Sequence, residues 1–211
     1  FITLINIGKI AVQGRTVTEL KEVLVRRFGQ VYTDLTGPNP RTFLQVGVIN
    51  VKSIQVHLAG EVNVAGTYTL NGFSTVMNAL YAAGGPTPTG SFRSIKVLRG
   101  GKLVKELDLY QFLLRGDARQ NVRLESNDVI LIPPYLNRVM ITGEVKRPTR
   151  YEMKTGETVE DLITYAGGFT PAAYQQRISL TRPDKEAQRV ADVYKEQFSI
   201  FQLAGGDQFH V

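Results

Sequence analysis

The spacing of apolar positions divides this chain into short elements. Phe1, Ile2, Leu4, Ile5, Ile7, Ile10 and Val12 run or alternate around a break at Gly8, which predicts two short strands. Thr16-Val17-Thr18-Glu19 has the capping-box form, a hydroxyl at the cap and a carboxylate three residues on. Leu20, Val23, Leu24 and Phe28 follow at helical spacing, so a helix is predicted near 17–28 with Gly29 at its C-terminal end. Residues 34–41, with their Gly and Pro, read as a loop, and Phe43 to Val51 as a strand.

From residue 54 onward the pattern is written twice, 83 residues apart. Val56-His57-Leu58-Ala59-Gly60-Glu61-Val62 returns as Val139-Met140-Ile141-Thr142-Gly143-Glu144-Val145, and Ala83-Gly84-Gly85 returns as Ala166-Gly167-Gly168. Tyr68, Thr75-Val76 and Thr87-Pro88 match Tyr151, Thr158-Val159 and Thr170-Pro171 without a gap. A fixed period of this length means one supersecondary unit used more than once. Each copy predicts a strand (Ile54–Val62; Val139–Val145) and a second strand carrying the tyrosine (Thr67–Leu70; Arg150–Met153). A short helix follows, with Val76, Ala79, Leu80 and Ala83, or Val159, Leu162, Ile163 and Ala166, on one apolar stripe. Ser74 or Thr75, and Thr158, are its candidate N-caps. The paired glycines stop it, the first suited to a left-handed C-terminal position.

Further strands are predicted at Ile95–Arg99 and Ile178–Arg182, with a hairpin turn at Arg99-Gly100-Gly101-Lys102. Leu107-Asp108-Leu109-Tyr110 aligns with Ala191-Asp192-Val193-Tyr194, and the last strands start at Asp128 and Asp207, so the second copy is about five residues shorter before Asp207. The order strand, strand, helix, strands is that of a β-grasp. The fold class is therefore α+β: tandem β-grasp-like modules, a mixed sheet and one short helix each, behind a leading segment.

The chain has 211 residues, 43% of them hydrophobic and 21% charged, which is a globular balance. Its net charge of +6 is uneven: residues 1–55 hold seven Lys/Arg against three Asp/Glu, 56–133 eight against six, and 134–211 ten against ten. No Lys/Arg run exceeds two residues, so nucleic acid is not an expected partner. With no cysteine, disulfides, thiolate metal sites and cysteine nucleophiles are excluded. His57 is matched by Met140, a poor sign for a metal ligand, and no Gly-x-Ser-x-Gly elbow exists. The glycine pairs follow helices, whereas phosphate loops precede them. Glu61 and Glu144 occupy equivalent places in different modules, where a local hydrogen-bonding role fits better than paired catalytic acids. No catalytic residue, cofactor or metal is expected. Tyr68 and Tyr151 are candidates for stacking on sugar rings or for the core. Arg99 and Arg182 repeat as candidates for subunit contact or simple exposure. Both ends of the chain read as cuts in a longer protein.

Gly60-Glu61-Val62-Asn63-Val64-Ala65-Gly66-Thr67-Tyr68 and Gly143-Glu144-Val145-Lys146-Arg147-Pro148-Thr149-Arg150-Tyr151, each followed by the Ala-Gly-Gly stop, resemble the soluble-ligand-binding β-grasp domain. That pattern has Pro-Gly-x-Tyr at the turn; here Ala65 replaces the proline and Thr149 the glycine. The segment Ile7 to Thr16 with its helix is similar to the second half of a polysaccharide biosynthesis/export domain. The arrangement resembles the outer-membrane polysaccharide export proteins of Gram-negative bacteria. The resemblance implies three parts: 1–55 as the end of a partial α/β export domain, 56–134 and 135–211 as β-grasp domains. It also implies a homo-oligomeric ring in the periplasm, attached to the outer membrane through segments absent from this chain. Such a ring passes capsular or exopolysaccharide and works with an inner-membrane polysaccharide co-polymerase. The alternative is a soluble periplasmic carbohydrate-binding or capsule-assembly accessory protein that forms no channel; an enzyme subunit is a third class, with no motif in its favour.

Overall fold

The structure is a computed structural model and describes all residues except Asn6, 37–40, 48–50 and 184–187. It forms two compact units, Phe1–Val51 and Lys52–Val211. In the first, β1 (Ile2–Leu4) and β2 (Gly8–Ile10) make an antiparallel pair. Helix α1 (Val17–Gly29) starts in a complete capping box, in which the Glu19 amide bonds Thr16 Oγ1 at 3.2 Å and the Thr16 amide bonds the Glu19 carboxylate at 2.7 Å. Gly29 is the last helical residue, but the cap is Gln30 in an ordinary right-handed conformation, so no left-handed glycine ends this helix. The strand expected from Phe43 does not form over residues 43–47, which are irregular, and its continuation at 48–50 lies outside the described residues, as do 37–40 of the expected loop.

The second unit holds two copies of one fold. Copy one comprises β3 (Ser53–Gly60), β4 (Gly66–Asn71), α2 (Val76–Ala82), β5 (Ile95–Arg99), β6 (Lys102–Leu107), α3 (Leu109–Arg115) and β7 (Val129–Ile132). Copy two comprises β8 (Arg138–Thr142), β9 (Thr149–Glu152), α4 (Val159–Tyr165), β10 (Arg177–Pro183), β11 (Gln188–Tyr194) and β12 (Gln208–His210). The sheet orders, β4-β3-β7-β5-β6 and β9-β8-β12-β10-β11, are the same. In each sheet the first and last strands of the copy pair in parallel at the centre and the other pairs are antiparallel.

Alternation on these strands places one set of side chains under the helix. Val56 and Leu58 of β3, Ile95 and Val97 of β5, and Ile130 and Ile132 of β7 are buried against Val76, Ala79 and Leu80 of α2. Val139, Ile141, Ile178, Leu180 and Phe209 do the same against Val159, Leu162 and Ile163. Burying each large side chain contributes about 1.5–3 kcal/mol. Thr75 and Thr158 are the caps, each with a complete capping box, and both glycines of each Ala-Gly-Gly stop adopt positive φ.

The copies part company after β6. Leu109 and Tyr110 begin helix α3, whereas their aligned partners Val193 and Tyr194 still lie in β11 and lead to a single 3₁₀ turn, Lys195–Gln197. The shorter second copy therefore lacks a helix.

Gly60 and Gly143 sit where the chain leaves the central strand, at φ +84° and +80°. A Cβ on Gly60 would lie 2.2 Å from the carbonyl oxygen of Ile132, and on Gly143 2.2 Å from that of Val211. Gly60→Ala combines a left-handed conformation with a backbone collision and is expected to cost about 3 kcal/mol. Gly101→Ala has φ +75° but open space around it, and about 1 kcal/mol is expected. Urea denaturation of the two variants checks this ordering.

Candidate functional site

The repeated polar residues serve each module internally. Glu61 closes the turn after β3: its amide bonds the carbonyl of Ile132 at 2.8 Å, its carbonyl accepts the Thr87 amide at 2.9 Å, and its carboxylate accepts the hydroxyls of Thr87 (3.0 Å) and Thr89. These hydroxyls hold the Glu61 carboxyl below its ordinary value, Thr89 first. Glu144 and Thr170 repeat the arrangement. Tyr68 is half-buried against the first core with its hydroxyl donating to the Val64 carbonyl at 2.8 Å. Tyr151 is buried in the second core and donates to the Arg147 carbonyl, also at 2.8 Å. Arg99 grips buried Asp128 with two bonds of 2.8 and 2.9 Å, and Arg182 grips buried Asp207 with two of 2.7 Å. The structure does not bring these four candidates together; each pair is the same device in two copies. His57 bonds Thr67 Oγ1 and His210 bonds Thr142 Oγ1. Among the described residues no cluster of His, Asp and Glu is arranged to hold a metal ion.

The polar centre of the unit lies elsewhere, where the two modules meet. Arg93, only 2% exposed, follows the turn that leaves α2. Its guanidinium makes bonds of 2.9–3.1 Å to Asp108 of its own module and of 2.7 and 2.8 Å to Glu157 of the other. A further bond of 3.2 Å reaches the Glu152 carbonyl. Tyr110 of α3 and Tyr165 of α4 flank the guanidinium, their ring centres 4.7 and 5.1 Å from its carbon. The two rings meet edge to face at 5.2 Å. The Glu152 carboxylate accepts Ser91 Oγ at 2.6 Å and the Phe92 amide at 2.7 Å, while its own amide donates to Tyr110 Oη at 2.9 Å. Lys154 Nζ adds 2.9 Å to Asp108. Tyr110 and Leu114 of α3 also pack on the core of the second module.

This junction was not found by reading the repeat. Asp108 and Tyr110 of the junction recur as Asp192 and Tyr194, but its other charged and aromatic members depart from the repeat. At the 83-residue offset Arg93 faces Gln176, Glu152 faces Thr69, Glu157 faces Ser74 and Tyr165 faces Ala82. Those departures, charged or aromatic in one copy only, were the available signal.

A family profile described as the SLBB domain matches residues 55–106 and again 138–191, the two modules just described. The chain belongs to the SLBB-domain family. Over 174 residues, 81% of this chain and 44% of the relative, it is 30% identical to the EPS I polysaccharide export outer membrane protein EpsA of Ralstonia solanacearum. Over 154 residues it is 25% identical to a polysialic acid transport protein KpsD of Escherichia coli, covering 72% of this chain and 26% of that protein. A second KpsD sequence is 24% identical over the same length. The chain thus spans less than half the length of the curated relatives it matches. No helix among the described residues is long and apolar enough to cross a membrane.

Electrostatics make the junction of the two SLBB modules self-contained. Burial disfavours the Arg93 cation, but the hydrogen bonds it donates to Glu157 and Asp108 outweigh this and raise its pKa above the ordinary value. Burial likewise pushes Asp108 up, and the bonds from Arg93 and Lys154 more than reverse this. Burial carries Tyr110 and Tyr165 up to about 12, so both hydroxyls stay protonated. No buried side-chain polar atom among the described residues lacks a partner.

Removing the cation leaves the Asp108 and Glu157 carboxylates facing an apolar gap. Arg93→Met is expected to cost about 3–5 kcal/mol, the usual result of breaking a buried ion pair from one side. It should also uncouple the modules, so that calorimetry shows two heat-unfolding transitions in place of one; a single transition at the wild-type midpoint would contradict the account. The acid limb follows from Asp108. Its folded pKa lies below its unfolded value, so the native state binds fewer protons and stability rises with pH through that range. The contribution is complete above the ordinary value of 3.8 and is lost as pH falls through the lower folded value. Asp108→Asn should be less stable than wild type at neutral pH and lose less on acidification; parallel urea titrations from about pH 7 to about pH 3 test this.

Proposed function

We propose that this protein takes part in polysaccharide export across the Gram-negative envelope, as the periplasmic part of an oligomeric outer-membrane translocon for capsular or exopolysaccharide. The observation that carries the reading is the match to EpsA along 81% of the chain. In this reading residues 1–55 are the end of an export domain, and 56–134 and 135–211 are two SLBB layers of a ring of identical subunits. An inner-membrane polysaccharide co-polymerase hands over the polymer, and the full-length protein is held at the outer membrane by segments beyond these residues. No reaction is catalysed.

The junction supports such a role physically. A ring under load from a moving polymer needs stiff subunits, and the Arg93 cluster ties two modules into one body without spending outward-facing groups. The candidate contacts Tyr68, Tyr151, Arg99 and Arg182 act first inside their modules. Any saccharide or subunit contact they make uses the half-exposed Tyr68 ring and the outer edges of the two guanidinium groups.

The test is the mass of the full-length, membrane-extracted protein by light scattering, with particle images of the same sample. A closed ring of several copies is expected. A monodisperse monomer would overturn the translocon and leave the accessory role, a soluble periplasmic carbohydrate-binding protein that forms no channel.

A further inference from the structure

An open groove of about 830 Å³ lies where the first module's Pro88-Thr89 turn, the linker and the second module's sheet meet. Its size falls in the range of ligand clefts, which runs from about 300 to about 1,000 Å³. One wall is the Pro88-Thr89 turn of the first module; the other is the outer face of β8, β9 and β12. Met140 faces Arg150 across one ladder and Gln208 across the other, so these three side chains share that face. The linker residues Tyr135 and Leu136 form the lip, 38% and 87% exposed.

The two arginines of this groove, Arg138 and Arg150, form no ion pair among the described residues. Arg138 stacks on Tyr135, its carbon 3.9 Å from the ring centre, and donates to the carbonyls of Pro88 and Gly90. Those are neutral acceptors, and among the described residues its guanidinium bonds no carboxylate. Arg150 is exposed and its guanidinium has no hydrogen bond or ion pair among the described residues. Asp207 is the one acid in the groove's lining and is paired with Arg182, while Glu152, opposite Arg138 on the β8–β9 ladder, bonds Ser91 Oγ and the Phe92 amide. The Arg138 bonds also fix the linker, so the aromatic lip is held in place before anything binds.

We propose that this groove is a binding site for acidic saccharide units, pyranose rings bearing a carboxylate. The apolar face of the ring lies against Tyr135 and Leu136, since an aromatic side chain offers apolar area with a polar edge. The carboxylate meets Arg150 in the planar, two-bonded geometry that guanidinium groups favour. Arg138 adds charge from beneath the lip and Gln208 offers an amide for ring hydroxyls. The site is open to water, so each contact is weak and reversible, which suits a polymer that moves past it. A ring of subunits would present the groove several times and raise the local hold without a deep well. The inference rests on the export reading and names the class of polymer.

The experiment is saturation-transfer NMR on the full-length protein with tetragalacturonate, with its fully methyl-esterified form, and with inorganic phosphate as a competitor. Saturable binding of the acid is expected, weakened by added salt, with much weaker binding of the ester. Arg150→Gln and Tyr135→Ala should each raise the dissociation constant about fivefold, the scale of one exposed charge or stacking contact. Lys102→Gln, on the distant β5–β6 hairpin, should change nothing, and the melting temperatures of all three should match wild type. Equal binding of the ester would overturn the acidic class. Displacement by phosphate at equal concentration would reduce the site to an anion patch. Equal weakening by Lys102→Gln would reduce it to general charge attraction. No saturable binding would remove the site. Gene deletion separates the two layers: surface polymer that survives deletion sinks the export reading itself, while polymer lost on deletion with no groove binding sinks only the groove.

Discussion

A buried guanidinium with nowhere to go decides how this protein is put together. Taking the Arg93 cation out of water costs several kcal/mol, and that cost is offset only if anions and hydrogen-bond acceptors surround it. Asp108 supplies part of the set from the same module; Glu157, the Glu152 carbonyl and Tyr165 supply the rest from the next. Each module alone therefore holds half of a polar site that is unfavourable until the other half arrives. The docked arrangement is the one in which every buried charge has its partners, and any sliding or rotation would strand one of them.

The same constraint explains why the copies differ where they do. Their cores are near-duplicates, strand for strand, because one sheet face and one helix stripe must be buried in both. After β6 the first copy adds α3, and that helix sends Tyr110 and Leu114 into the core of the second. A module of about eighty residues buries a modest core, so surface lent by a neighbour matters to its stability.

The module junction has a consequence for what the outside can do. With Asp108 and Glu157 bound to Arg93 and Asp207 to Arg182, the two arginines of the groove form no ion pair among the described residues. Its character follows from the pairing behind it as much as from its own residues. On the proposals made above, shallow and partly aromatic contacts suit a moving acidic polymer better than a tight receptor, in which release would limit the flow.

Much of this was legible in the chain. The 83-residue repeat, the alternation of Val56 and Leu58 with outward residues, the helix stripes and the glycine stops follow from local rules, in which periodicity and turn chemistry act over a few residues. The α+β class and the two β-grasp units were therefore determined by sequence alone. The helix at 109–115 was hidden, because its start copies a segment that stays extended in the other module and only the context after Asp108 separates the two outcomes. The expected strand at 43–47 failed for the related reason that an apolar run needs a partner edge to become a strand. The Arg93 cluster and the groove were decided by tertiary structure. Their residues are separated by tens of positions and most do not repeat, and burial changes the chemistry of a charged side chain only once the fold has removed its water.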